Sequence, residues 1–303
     1  MNNRKIISPT RSPLPPFFKV GRSTAFVFLR SIICMLIAGL CSLSVSGADA
    51  KPVELPAGIQ ALPAALEARM KELIKSAEKF RGLPCRQAVP SGALGEEGLK
   101  RQMLEAFQDE LPAEKMNPLE ASLKAFHFIP QEMVLSKYYP ELLTSQVGGY
   151  YDPKRKYLVL VQREDGLLGK EAKEKYGADM ANRMEETVLV HELTHAIQDQ
   201  HFDLQKFTAN DPLSDEGAAH TALVEGDATL TMYDFLMNMR IENFPGLEQI
   251  MNQLMKDPKQ LIDMSPDMPG SKQMSEAPAW FRDNLLFSYL QGFVFCINVR
   301  KAG

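Results

Sequence analysis

Residues 188–201 read VLVHELTHAIQDQH and hold three of the five histidines in the chain. On a helix His191 and His195 stand one turn apart, with Cβ atoms about 5–6 Å from each other, so both imidazoles can reach one zinc ion at about 2.0–2.1 Å. Glu192 neighbours them on the helical wheel, placed to meet a water held by the metal rather than the metal itself. Two neutral imidazoles and a carboxylate in this HExxH spacing are the ligands and general base of metal-assisted hydrolysis. Zinc lowers the pKa of its water to about 7, so Glu192 can take a proton during attack on a peptide carbonyl and pass it to the leaving amine. The bland alternative is a helix with two incidental histidines. Against it, Val188 and Val190 precede the motif, and Leu189, Leu193, Ala196 and Ile197 form an apolar stripe that the histidines do not join, as expected of an amphipathic helix.

A zinc site of this kind needs a third protein ligand, and two candidates compete. His201 gives the metzincin spacing HExxHxxGxxH, but Gln198 occupies the place of the glycine that lets the chain turn back. Glu225, in HTALVEGDATLTMYDFL, would come from a second helix. The small residues around it (Ala218, Ala219, Ala222, Gly226 and Ala228) suit close packing against the histidine helix, and a mid-helix glycine costs about 1 kcal/mol unless packing requires it. Glu225 is the preferred ligand, and His201 remains the alternative.

Hydrolysis also requires an oxyanion donor and a way to hold an extended substrate. Tyr150, Tyr151, His220, Tyr233 and Tyr289 are available, and we carry Tyr151, Tyr233 and Tyr289 forward as candidates. His220, five residues before Glu225, would point about 140° away from it on a helix, which fits packing better than catalysis. The run YLVLVQ, 157–162, reads equally as an edge strand that pairs with a peptide backbone or as a core strand.

HELTHAIQDQ resembles the active-site helix of thermolysin-like gluzincins. Together, GGYYDP, TVLVHELTHAIQDQHFDL and ALVEGDAT resemble a group of bacterial and archaeal metalloproteases, over about Leu142 to Tyr233 with a fainter match at LLFSYLQGFVF. The resemblance implies a zincin-like active-site helix pair, one zinc ion, Glu192 as base and Glu225 as third ligand. Two departures stand out. Where thermolysin-like enzymes place an aspartate one turn after the glutamate ligand, this chain has Thr229, so Asp199 and Asp227 become the candidates for orienting a histidine. Related chains also continue past the LLFSYLQG helix, and truncation would remove substrate-binding residues.

Positioning these groups requires mostly helices. Helical spacing runs through ALPAALEARMKELIKSAEKF, GLKRQMLEAFQDEL, NPLEASLKAFHF (Asn117 as N-cap, Pro118 at the first helical position), 177–200, 215–239, GLEQIMNQLMKD and the region of LLFSYLQGFVF. Only SQVGGYYDPKRKYLVLVQ carries a strong strand signal, a hairpin around Asp152–Pro153–Lys154–Arg155. The expected class is α+β, predominantly helical with a small β-hairpin or sheet, divided into a helical N-terminal region, 51–140, and a zincin-like core, 141–303.

Residues 1–50 have the layout of an export signal: basic residues, the apolar run SIICMLIAGLCSLSV, then SGADA. We expect cleavage, hence a periplasmic, envelope or secreted protein with no stable membrane span, the alternative being an uncleaved anchor. Of four cysteines, Cys85 and Cys296 fall in the mature chain, either paired or free. A net charge of −4 excludes the basic excess of a nucleic-acid binder, which leaves a peptide or protein substrate as the expected partner. The rival to a peptidase is an envelope scaffold that binds zinc without hydrolysis, and Glu192 argues against it because a structural site closes with four protein ligands and needs no base.

Overall fold

The computed structural model describes residues 58–162, 173–175, 177–209, 214–263 and 270–303. The expected export signal lies outside the described residues. Among them no helix is long and apolar enough to cross a membrane.

The chain is predominantly helical with one small sheet. In order, the elements are β1 (Gln60–Ala61), α1 (Ala64–Arg81), β2 (Ser91–Gly95), α2 (Glu96–Glu110), α3 (Ala113–Ala125), α4 (Leu135–Gln146), β3 (Gly149–Asp152) and β4 (Tyr157–Gln162). There follow α5 (Ala178–Phe202), α6 (Leu204–Phe207), α7 (Asp215–Met237), α8 (Leu247–Lys256), α9 (Lys259–Asp263), α10 (Ser271–Glu276) and α11 (Ala279–Ala302). A 3-10 turn, Ile241–Asn243, links α7 to α8.

The expected hairpin forms: β3 pairs antiparallel with β4, Tyr151 opposite Leu158. Its loop closes through Asp152, whose carboxylate accepts the Lys154 and Arg155 N–H groups at 2.8 and 2.9 Å, with Lys156 in the left-handed region. The sheet extends further than the sequence reading, in the order β1-β2-β4-β3, with β2 parallel to β4. YLVLVQ is therefore an interior strand, and β3 and β1 form the two edges.

Side chains alternate across the sheet with the period of two that strands impose. Leu158 and Leu160, with Ala93 and Tyr151, pack on Leu73 of α1 and on Leu189, Leu193 and Ile197 of α5. Tyr157, Val159 and Val161 face the other way, onto Leu99 and Phe107 of α2 and Leu143 of α4. A third cluster joins α7 and α11 to the short helices α8 to α10.

Two expectations are corrected. The helix expected to start at Pro118 begins a turn earlier, with Pro112 as its N-cap and Pro118 inside it. Pro112 accepts the Lys115 and Met116 N–H groups at 2.9 Å each and so opens the helix, while Glu120 accepts the Leu135 N–H at 2.7 Å and ties α3 to α4. The glycine of ALVEGDAT does not serve the approach of α7 to the histidine helix. A Cβ on Gly226 would lie 2.1 Å from the carbonyl carbon of Gly292, and one on Gly292 would lie 1.8 Å from the Ala222 oxygen, so these glycines bring α7 against α11. Gly226 follows Glu225 by one residue and so sits about 100° around the helix from it, facing a different neighbour.

Candidate metal centre

Helix α5 carries the motif deep inside the molecule. Its apolar stripe faces the sheet and α1 as expected, but Thr187 to Asp199 are all buried, because the histidine face is covered as well. Helix α7 packs along α5 and brings Glu225 to the histidines.

The three ligating atoms converge. His191 Nε2 lies 3.0 Å from His195 Nε2 and 3.1 Å from Glu225 Oε2, and His195 Nε2 lies 3.4 Å from the same carboxylate oxygen. Arms of 2.0–2.1 Å in a tetrahedron have ends about 3.3 Å apart, so the spacing fits a single ion between the three groups. Their relative exposures are 0%, 3% and 1%, burial that ionisable groups accept only when paired or bound to a metal. His191 Nδ1 and Glu225 Oε1 are also buried and have no hydrogen-bond partner among the described residues. This group can bind a metal ion.

Burial and the mutual charges of these groups shift the pKa of each. Burial drives the His191 imidazole toward its neutral form, the form that ligates metal. Burial opposes the charge on Glu225, but the two histidines overcome it and hold the carboxyl at about 2. Burial likewise opposes protonation of His195, and the Glu225 carboxylate, aided by Glu192 and Gln198, raises that ring to about 9. Glu192, 2% exposed, is pushed up to about 8 chiefly by burial, against the pull of His195. Its Oε2 accepts the backbone N–H of Tyr151 at 2.9 Å, so the edge strand β3 fixes the base beside the ligands.

The other expected residues divide. Tyr289, on α11, lies with its ring centroid 6.2 Å from that of His191. Tyr151 is adjacent through its backbone, while its hydroxyl donates to Asp199 Oδ2 at 2.7 Å. Tyr233 is fully buried and packs on Phe293 in the α7–α11 core, at 5.3 Å between centroids. Asp199 does not orient a histidine: it takes Lys156 Nζ at 2.8 Å and the Leu204 N–H at 3.0 Å, which spends it on the hairpin and on the end of α5. His201 does not join the cluster. Helix α5 runs unbroken past Gln198, and the His201 ring meets the Pro84 carbonyl at 2.8 Å instead.

The sequence reading missed the partner of His195. Gln198 Oε1 is 2.8 Å from His195 Nδ1, while Gln198 Nε2 donates to the Val224 carbonyl at 3.0 Å and to Asp227 Oδ2 at 2.7 Å. Arg81, at the end of α1, donates through Nε to Asp227 Oδ2 at 2.6 Å. The i, i+3 spacing of His195 and Gln198 on one helix was the available signal. Asp227, expected beside a histidine, reaches it only through Gln198. No protein family, curated protein or solved structure matches the chain.

Proposed function

We propose that the chain is an exported, gluzincin-like zinc peptidase, with His191, His195 and Glu225 as ligands and Glu192 as general base and acid. One observation carries the reading: a carboxylate that is no part of the ligand cluster is held beside it, with one oxygen tied to the Tyr151 N–H. A purely structural zinc site closes with four protein ligands and has no use for such a group.

Zinc in a set of two imidazoles and a carboxylate supplies Lewis acidity and brings the pKa of a water it holds to about 7. Glu192 then accepts the proton lost as the water oxygen bonds to the peptide carbonyl carbon. When the C–N bond breaks, Glu192 returns that proton to the departing nitrogen, and the second water proton passes from the new carboxyl group to the amine, so the cycle ends with a carboxylate, an ammonium product and the base restored. Helix α5 and strand β3 hold Glu192 in place for both transfers, and Tyr289 is the candidate oxyanion donor whose ring lies beside a ligand.

The test is metal analysis with casein hydrolysis, wild type beside Glu192→Ala, Glu225→Ala and His201→Ala. Glu192→Ala should keep its zinc and lose at least about 100-fold in rate, as loss of a general base does. Glu225→Ala should lose the metal, and His201→Ala should keep both. Full activity in Glu192→Ala would overturn the mechanism, and zinc binding without hydrolysis by the wild type would favour a scaffold.

A further inference from the structure

We propose that Gln198 is the positioning residue of the metal centre: its amide fixes which nitrogen of His195 carries the proton and so aims the other at the ion. The proposal rests on the metal-site reading of His191, His195 and Glu225.

The geometry leaves the amide one orientation. Gln198 faces three groups: His195 Nδ1, the Val224 carbonyl and the Asp227 carboxylate. The last two can only accept, so both must meet the amide NH2, which has two protons to give. The amide oxygen is then left for His195 Nδ1, and a carbonyl oxygen can only accept, so Nδ1 carries the proton. In a neutral ring the lone pair therefore sits on Nε2, the atom that faces His191 and Glu225. Arg81 anchors the Asp227 carboxylate where the amide NH2 meets it, its Nε donating to Asp227 Oδ2 at 2.6 Å. The relay thus runs from α1 through α7 to α5, and an amide orients a ligand as a carboxylate or backbone carbonyl does at other metal-binding histidines.

The experiment measures zinc affinity of the full chain by competition with a chromophoric chelator, for wild type, Gln198→Met and Arg81→Met. Gln198→Met should bind zinc about 10–100-fold more weakly, the usual effect of removing an outer partner of a ligand, and Arg81→Met should show a smaller loss. Cobalt(II) absorption should shift in Gln198→Met, because the His195 ring is free to tilt. A merely structural Gln198 would lower the melting temperature and leave affinity and spectrum unchanged, which would overturn the proposal. Nitrogen NMR of the five histidines in the zinc-loaded wild type needs no variant to fold. It should show His195 protonated at Nδ1, and a His195 protonated at Nε2 would equally overturn it. A wild type that binds no zinc removes the metal reading itself, whereas a wild type that binds zinc no better than Gln198→Met removes only the role of Gln198.

Discussion

Glu225 Oε2 and His195 Nε2 face each other 3.4 Å apart in surroundings nearly closed to water, and Glu192, next to His191 on the helix, shares that burial. The same burial acts on each, and the neighbours decide the outcome: the histidines stabilise the charge on Glu225, whereas for Glu192 burial and the Glu225 charge outweigh His195 and one backbone N–H. Cysteine chemistry follows the same rule and gives a separate prediction. Cys85 and Cys296 are both free thiols, so the pairing left open by the sequence does not form. Burial pushes the Cys296 thiol up to about 12, so at pH 8 only about one molecule in 10⁴ carries the thiolate that reacts. Cys85 is half-buried and also raised, but its sulfur lies in the chain after α1, with the Gln87 carbonyl 2.9 Å away. Maleimide labelling of the native protein at pH 8, mapped by mass spectrometry, should modify Cys85 well before Cys296, which should react only after denaturation. A Cys85–Cys296 disulfide, or equal labelling rates, would contradict this packing.

Helices α7 and α11 meet at Gly226 and Gly292 so closely that either added methyl would overlap backbone, which cannot rotate aside as a side chain can. Gly292→Ala should therefore cost about 3 kcal/mol or more, the upper range of overpacking, and lower the melting temperature by about 6–12 °C. Gly148→Ala is the control: its new Cβ meets nothing within 4 Å, and it should change stability by less than about 1 kcal/mol. Equal melting curves for the two variants would refute the close contact. This junction also marks how far the sequence could be read. The HExxH triplet was legible because its geometry is set by one helix turn, and the long helices because their apolar spacing is local. Glu225 was chosen partly for its small neighbours, yet Gly226 and Ala222 among them meet Gly292 of α11, a relation between helices that no local pattern encodes. Strand β2, SGALG, escaped notice because it has no β-branched or aromatic residue and is a strand only through its pairing with β1 and β4. Gln198 looked like an obstacle to a turn, and its partner Asp227, itself held by Arg81 of α1, lies on another helix.

Across the molecule, the metal centre is where separate layers are joined. Two ligands come from α5, which rests on the sheet and α1, and the third comes from α7, which belongs to the core shared with α11. An ion bound to all three links these layers in the folded state only, because the unfolded chain holds the ligands far apart. Binding to the folded state alone must raise stability by mass action, by about 2.7 kcal/mol when free zinc is 100-fold above its dissociation constant. Thermal denaturation of the metal-stripped protein should therefore shift upward on adding zinc, reverse with a chelator, and show no shift in Glu225→Ala. The shift should shrink as the pH falls, since protons compete with the metal for the same imidazole nitrogens. Absence of a zinc-dependent shift in the wild type at neutral pH would mean that the three groups do not act as one site. A shift that survives Glu225→Ala would place the ion elsewhere, with α7 no part of its cage.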